Sequence, residues 1–118
     1  MADPSAADMS HLSTVRLKPM TQNTKYGHIE IRPNGQVVVD FEGDRYLTVI
    51  DAQGDVVRFH RRPGPGDTLE TSKPLQMYLT ETLPAKYVKK YKYAKKFVDL
   101  VRTKTPKVSF FFFPFLKG

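Results

Sequence analysis

The sequence predicts an α+β domain: an antiparallel sheet with one C-terminal helix laid across it. Two observations carry this. From Tyr26 to His60 apolar and polar residues alternate with a period near two, broken at Gly35, Gly43 and Gly54. Short strands separated by glycine turns make an antiparallel meander. From Pro84 to Lys104 apolar residues recur at helical spacing, with lysines on the opposite face. A chain of 118 residues supplies one core, so the two elements form one unit with a layer of each.

Taken in order, residues 1–11 are small and polar and are expected to be a disordered tail. Residues 11–17 read as a first extended segment, stopped by Lys18-Pro19. Residues 28–32 make a half-buried strand with Ile29 and Ile31 inward, and Pro33-Asn34-Gly35 turns it. Residues 36–42 place Val37, Val39 and Phe41 on one face, and residues 45–51 follow after Glu42-Gly43-Asp44. Residues 55–60 come after the turn at Ala52-Gln53-Gly54, with Val57 and Phe59 inward. Residues 61–73 hold Arg61-Arg62-Pro63-Gly64-Pro65-Gly66, which cannot sustain a ladder and reads as a long surface loop. Leu75, Met77 and Leu79 then alternate as a last strand.

The helix is expected to open at Thr82-Leu83-Pro84, a hydroxyl cap followed by a proline in the first turn. Thr105-Pro106 is expected to end it. At 100° per residue, Tyr87, Tyr91, Ala94, Phe97, Val98 and Val101 fall in one arc suited to a sheet face. Lys86, Lys89, Lys92, Lys95 and Lys96 spread over the opposite half, which also holds Tyr93 and Leu100. Lys90 falls inside the apolar arc and is expected to lead its ammonium out along the sheet edge.

Charge is as unevenly distributed as hydrophobicity. Residues 84–107 carry nine basic side chains and one acid, Asp99, whereas residues 1–83 carry nine basic and eleven acidic ones. The helix thus holds more than the whole net charge of +7. A near-neutral body with one strongly positive element points to a partner with a negative surface. The plainer reading is a solvated helix face, but such faces usually interleave Glu with Lys at i,i+4, and this one is nearly pure in sign.

Several function classes fall away. There is no cysteine, which removes disulfides, thiolate metal sites and a thiol nucleophile. His11, His28 and His60 lack metal-ligand spacing, so neither a metal nor a cofactor is expected. The acids are scattered over turns and suggest no acid–base pair. Residues 62–66 are no phosphate loop, since no Lys-Ser/Thr follows and no helix opens there. The kinase glycine-rich loop and its HRD and DFG triplets are missing from this chain, which is expected not to be catalytic. The apolar run 110–116 is too short to span a membrane, and the N-terminus lacks a secretory pattern, so an intracellular setting is expected.

Particular residues carry a family resemblance. Tyr87, Lys90-Tyr91-Lys92-Tyr93-Ala94, Phe97-Val98 and the run from Leu100 through Val108 resemble the helix of the first polo box in the polo-like kinase 4 (SAK) family. Arg16-Leu17-Lys18-Pro19 with Thr24-Lys25 resembles the entry to that module, and Ile31 with Asn34-Gly35-Gln36-Val37 resembles its first hairpin. These matches stand in order and frame residues 12–110, leaving 111–118 as an apolar tail. The resemblance implies a six-stranded antiparallel sheet crossed by one helix. It also implies a non-catalytic module that self-associates and docks acidic segments of centriolar scaffold proteins. The setting so implied is the cytoplasm and cytoskeleton at the centriole and centrosome, in a Ser/Thr kinase governing centriole duplication.

The chain departs from the family in its Gly/Pro-rich stretch 61–84 and after Val108, where residues 109–118 begin like a strand leading to a second box and then stop. A fragment is expected on that ground, with an excised domain and a truncated gene model both left open. The expected partner-binding residues are Lys86, Lys89, Lys92, Tyr93, Lys95, Lys96, Arg102 and Lys104, with a secondary basic cluster at Arg58, Arg61 and Arg62. For that cluster a charged edge strand that blocks aggregation is an equal reading. The alternative function is direct binding of nucleic acid or an anionic membrane by the same helix. It is disfavoured because the apolar face is needed for the sheet and Tyr93 alone offers a stacking ring on the polar side.

Overall fold

The computed structural model describes residues 11–108, with side chains through Thr103. The expectations placed on residues 1–10 and on the tail 109–118 lie outside the described residues. Six strands, β1 (Met20–Thr24), β2 (Gly27–Ile31), β3 (Val37–Phe41), β4 (Leu47–Ile50), β5 (Val56–His60) and β6 (Gln76–Leu79), are followed by a 3-10 turn (Thr80–Thr82) and helix α1 (Ala85–Val108). Spatial order equals chain order, and all neighbours are antiparallel, which is the meander expected from the glycine punctuation.

Register sorts the apolar residues onto the helix side. Ile29 opposes Val39, and Ile31 opposes Val37, which in turn opposes Ile50. Ile50 then opposes Val57. Together with Phe59 these form the main core, closed from above by Tyr91, Ala94, Val98 and Val101 of α1. Tyr87 and Phe97 pack half-buried beside them. This is the helix face read from the sequence.

Three expectations are corrected. The first extended segment, residues 11–17, is not part of the sheet, which begins after Pro19 with β1. Leu12 is buried in the core, while the Thr14 amide donates to Ala52 O at 3.0 Å and its hydroxyl to Gly35 O at 2.6 Å. The segment plugs one end of the sandwich and then turns at Arg16, which has a positive φ of 66°.

The second correction concerns the start of the helix. The Thr82 hydroxyl donates backwards to Leu79 O at 3.4 Å and does not cap α1. The third concerns its end, since α1 continues through Thr105-Pro106 to Val108. A proline forfeits one intrahelical bond. Here that falls in the last turn of a long helix already fixed by packing.

The loop 61–75 is long, as expected, and it works as a strap across the sheet face away from the helix. Leu69 packs on Val38, Leu47 and Val49. Glu70 pairs with Arg32 at 2.6 Å. Ser72 hydrogen-bonds the ring of His60 at 2.8 Å, and His60 is buried. Burial, and secondarily the charge of Arg58, holds the His60 imidazole below its usual pKa of 6.5.

One buried hydrogen-bond cluster joins four separate stretches of chain. Tyr91 Oη accepts the Leu12 amide at 2.8 Å and donates to Gly54 O at 3.0 Å. The same carbonyl accepts the Thr80 hydroxyl at 2.5 Å. Gly54 has φ +71°, and a Cβ there would meet Leu12 O at 2.4 Å and Leu12 N at 2.6 Å. Glycine is therefore required both by conformation and by space.

Two outcomes follow. Tyr91→Phe strands the Leu12 amide and should lower unfolding free energy by about 1–3 kcal/mol, whereas Gly54→Ala should cost more. Urea titration of both variants checks the order. The depressed His60 pKa means the unfolded state takes up a proton that the folded state resists, so stability should fall as pH drops below 6.5. Carboxylates add the same sign only below about pH 5, so the slope between these limits should flatten in His60→Gln.

Candidate protein-docking face

Residues that α1 does not bury face solvent, and their chemistry is nearly uniform. Lys86, Lys89 and Lys96 are exposed and Lys92 is half-buried, and none of the four forms an ion pair among the described residues. Lys86 lies over the Tyr87 ring at 5.2 Å. Lys95 pairs with Asp99 one turn on at 2.8 Å, the i,i+4 exception on this face. Lys92 neighbours Lys89 at three-residue and Lys96 at four-residue spacing, where like charges repel. An anionic group placed among them relieves that repulsion as well as attracting each charge.

Other expected site residues are engaged inside the fold. Arg102 donates to the carbonyls of Val15, at 3.0 Å, and Ser13, so its guanidinium fastens the N-terminal segment to the helix. The Tyr93 hydroxyl meets Thr24 Oγ1 at 2.7 Å, and its ring packs edge-on to Tyr26 and against Phe41. Tyr93 is thus half-buried at the β1–β2 hairpin rather than a free contact ring. Lys90 turns outward as expected, finding Asp44 while crossing the Phe41 ring at 4.8 Å. The Lys104 side chain lies outside the described residues.

The secondary cluster is not assembled as one patch of free charge. Arg58 pairs with Asp51 at 2.8 Å. Arg62 pairs with Asp40 and also donates to the carbonyls of Asp44 and Arg45, each at 2.8 Å. Arg61 alone of the three has no ion pair among the described residues, and it borders a shallow concavity with Arg45, Tyr46 and Arg62. Two of these arginines brace the sheet.

Sequence reasoning missed Tyr26, which is half-exposed beside Tyr93 and carries the Lys25 ammonium over its ring at 5.2 Å. The three histidines are scattered, and no group of three His, Cys, Asp or Glu residues is placed to hold a metal ion among the described residues. No helix among them is long and apolar enough to cross a membrane.

Comparison with known proteins agrees with this geometry. Residues 9–102 match the family model described as Polo-like Kinase 4 Polo Box 1. The serine/threonine-protein kinase PLK4 of Drosophila virilis is 38% identical over 117 residues, covering 85% of this chain and 15% of that protein. The Xenopus laevis protein of the same name is 35% identical over 116 residues, covering 87% of this chain and 12% of its own length. That of Aedes aegypti is 33% identical over 121 residues, with coverages of 88% and 16%. The chain therefore spans a small part of these curated relatives, at most 16% of their length. With the matched helix, the six-stranded antiparallel sheet and their order in the chain, this protein belongs to the polo-like kinase 4 polo box 1 family.

Proposed function

We propose that this chain is a non-catalytic docking and targeting module that binds acidic segments of centriolar scaffold proteins through the lysine face of α1. It would thereby bring a Ser/Thr kinase controlling centriole duplication to the centriole and centrosome. The observation that carries the reading is the set Lys86, Lys89, Lys92 and Lys96, without an ion pair among the described residues and held outward by a helix whose other face fills the core. Family membership supplies the interaction role, since a polo box is an accessory domain of the kinase that bears it. Arg45 and Arg61 border a separate concavity, with Tyr46 and Arg62, where β4 begins and β5 ends.

Direct nucleic-acid or membrane binding fits less well. Tyr91, Ala94, Val98 and Val101 are buried against the sheet and are not free to enter lipid. Tyr26 is exposed, but Tyr93 is half-buried, so the face lacks the row of stacking rings that single strands use.

Self-association belongs to the same proposal and rests on β6. Among the described residues this strand ends the sheet, and none of them pairs with its outer edge. Leu75, Met77 and Leu79 are 45%, 61% and 58% exposed, and no charged residue lies between Lys73 and Glu81. Monomeric proteins usually guard such an edge with charges, proline or bulges. Two copies joined antiparallel at β6 would continue the ladder and cover these side chains.

Replacing Lys89, Lys92 and Lys96 together by Glu should leave the fold intact, with stability changed by about 0.5 kcal/mol per site or less. The same change should weaken an acidic peptide at least about tenfold at ~0.15 M salt, because attraction becomes repulsion. Fluorescence anisotropy with an acidic peptide and, separately, with single-stranded DNA checks this. Unaltered peptide affinity in a folded variant removes the face from the site. For β6, Met77→Lys with Leu79→Lys should shift the chain towards monomer in sedimentation analysis. An unchanged distribution would move self-association elsewhere.

A further inference from the structure

The sheet face away from α1 has its own cover, and little holds that cover down. Residues 68–72 form a turn closed on itself. The amides of Thr71 and Ser72 donate to Thr68 O at 3.2 and 3.1 Å, and the Thr68 amide donates to Thr71 Oγ1 at 3.1 Å. Among the described residues, the polar contacts from this turn to the sheet side are Glu70 with Arg32 and Ser72 with His60. Glu70 is exposed, and an exposed ion pair holds weakly. Leu69 supplies the apolar anchor, on Val38, Leu47 and Val49. Before the turn, Gly66 has a φ of 83°, and a Cβ there would meet nothing within 4 Å, so the Pro63–Gly66 run is free to hinge. After it, the ladder resumes where the Leu75 amide donates to Phe59 O at 2.8 Å. A segment whose hydrogen bonds are mostly its own can open without the rest of the fold.

We propose that residues 63–74 are a proton-released latch: when His60 takes up a proton, this segment lifts as a unit from Val38, Leu47 and Val49, while the sheet and α1 stay folded. The latch acts on the face opposite the lysines and stands apart from the docking reading.

The surroundings of His60 set the direction. Arg58 and Arg62 stand two residues before and after it on β5, paired with Asp51 and Asp40. Glu70 comes from the strap, but its carboxylate is committed to Arg32. Asn34, Gln36 and Val49, which line the same cleft from the β2–β3 turn and β4, carry no charge. A cation formed on the ring is therefore out of water and next to an arginine. Burial first, and Arg58 second, hold the imidazole below 6.5 while the strap is closed. Lifting the strap returns the ring to water, so the closed form is favoured at neutral pH and lost as pH falls below 6.5. Glu70, held below the ordinary carboxylate range first by a backbone amide, keeps its charge through that window. The strain stays local because Val57 and Phe59 of the same strand point into the main core, whereas His60 lies on the strap side.

The test uses the full chain with labelled leucine and valine methyls and a neutral, soluble gadolinium chelate, whose relaxation effect reads each methyl's access to solvent. From about pH 7.5 to about pH 5.5 the effect at Leu69, Val38 and Val49 should rise at least about threefold, with Val39, Val57 and Val98 of the main core unchanged. His60→Gln, which keeps a hydrogen-bonding side chain but takes up no proton, should abolish the rise. Ser72→Ala removes the tie without touching the ring and should move the same rise to higher pH. A signal that stays flat down to about pH 5 in the unaltered chain overturns the latch. So does a rise that persists in folded His60→Gln, and so does one shared by the main-core methyls, which is global unfolding. If His60→Gln does not fold, Ser72→Ala decides: a rise at the same or lower pH than in the unaltered chain overturns the proposal.

Discussion

The hydroxyl of Tyr91 is the point on which the rest of this structure turns. It accepts the Leu12 amide and donates to the Gly54 carbonyl, tying the N-terminal segment, the β4–β5 turn and α1 together at one buried spot. Thr80, just before the helix, adds its own bond to the same carbonyl. The contacts span 79, 37 and 26 residues of sequence. Each polar group there is out of water, so losing one partner leaves another unsatisfied. A purely apolar seam would have let the helix slide or roll at little cost. This one fixes its rotation and its axial position.

Fixed rotation is what separates the two chemistries of α1. With Tyr91, Ala94, Val98 and Val101 inward, the lysines have nowhere to go but outward. Three acids of the body are committed to its own arginines, Asp40 to Arg62, Asp51 to Arg58 and Glu70 to Arg32, and Asp44 holds Lys90 at the edge of α1. These braces leave Lys86, Lys89, Lys92 and Lys96 of the helix face without an ion pair among the described residues. The same economy appears on the far side of the sheet, where the strap of residues 61–75 closes a small apolar patch with Leu69.

Much of this was legible in the sequence because it is local. Alternation marked β2 to β5 within a residue or two, since each has one face on the core. Helical periodicity found the inward face of α1 and set Leu100 apart from it. The misses depend on contacts distant in sequence. β1 is a polar edge strand, and Leu12 and Thr14 imitate a strand while serving as a plug. Arg58 and Arg62 looked like a free cluster because their acids become neighbours only after β3, β4 and β5 are in register. Arg102 and Tyr93 looked available because the segments they hold, residues 13–15 and the β1–β2 hairpin, carry no signal of touching the helix.

Residue-resolved hydrogen exchange at the Leu12 amide tests the central claim most directly. That proton is held by a side chain 79 residues away rather than by any strand or helix. If Tyr91 pins the helix as described, the Leu12 amide exchanges only with global unfolding, as slowly as the amides of β3 and β4. Exchange at the rate of an unprotected loop would mean that the N-terminal segment opens independently, and that the orientation of the lysine face rests on the sheet contacts alone.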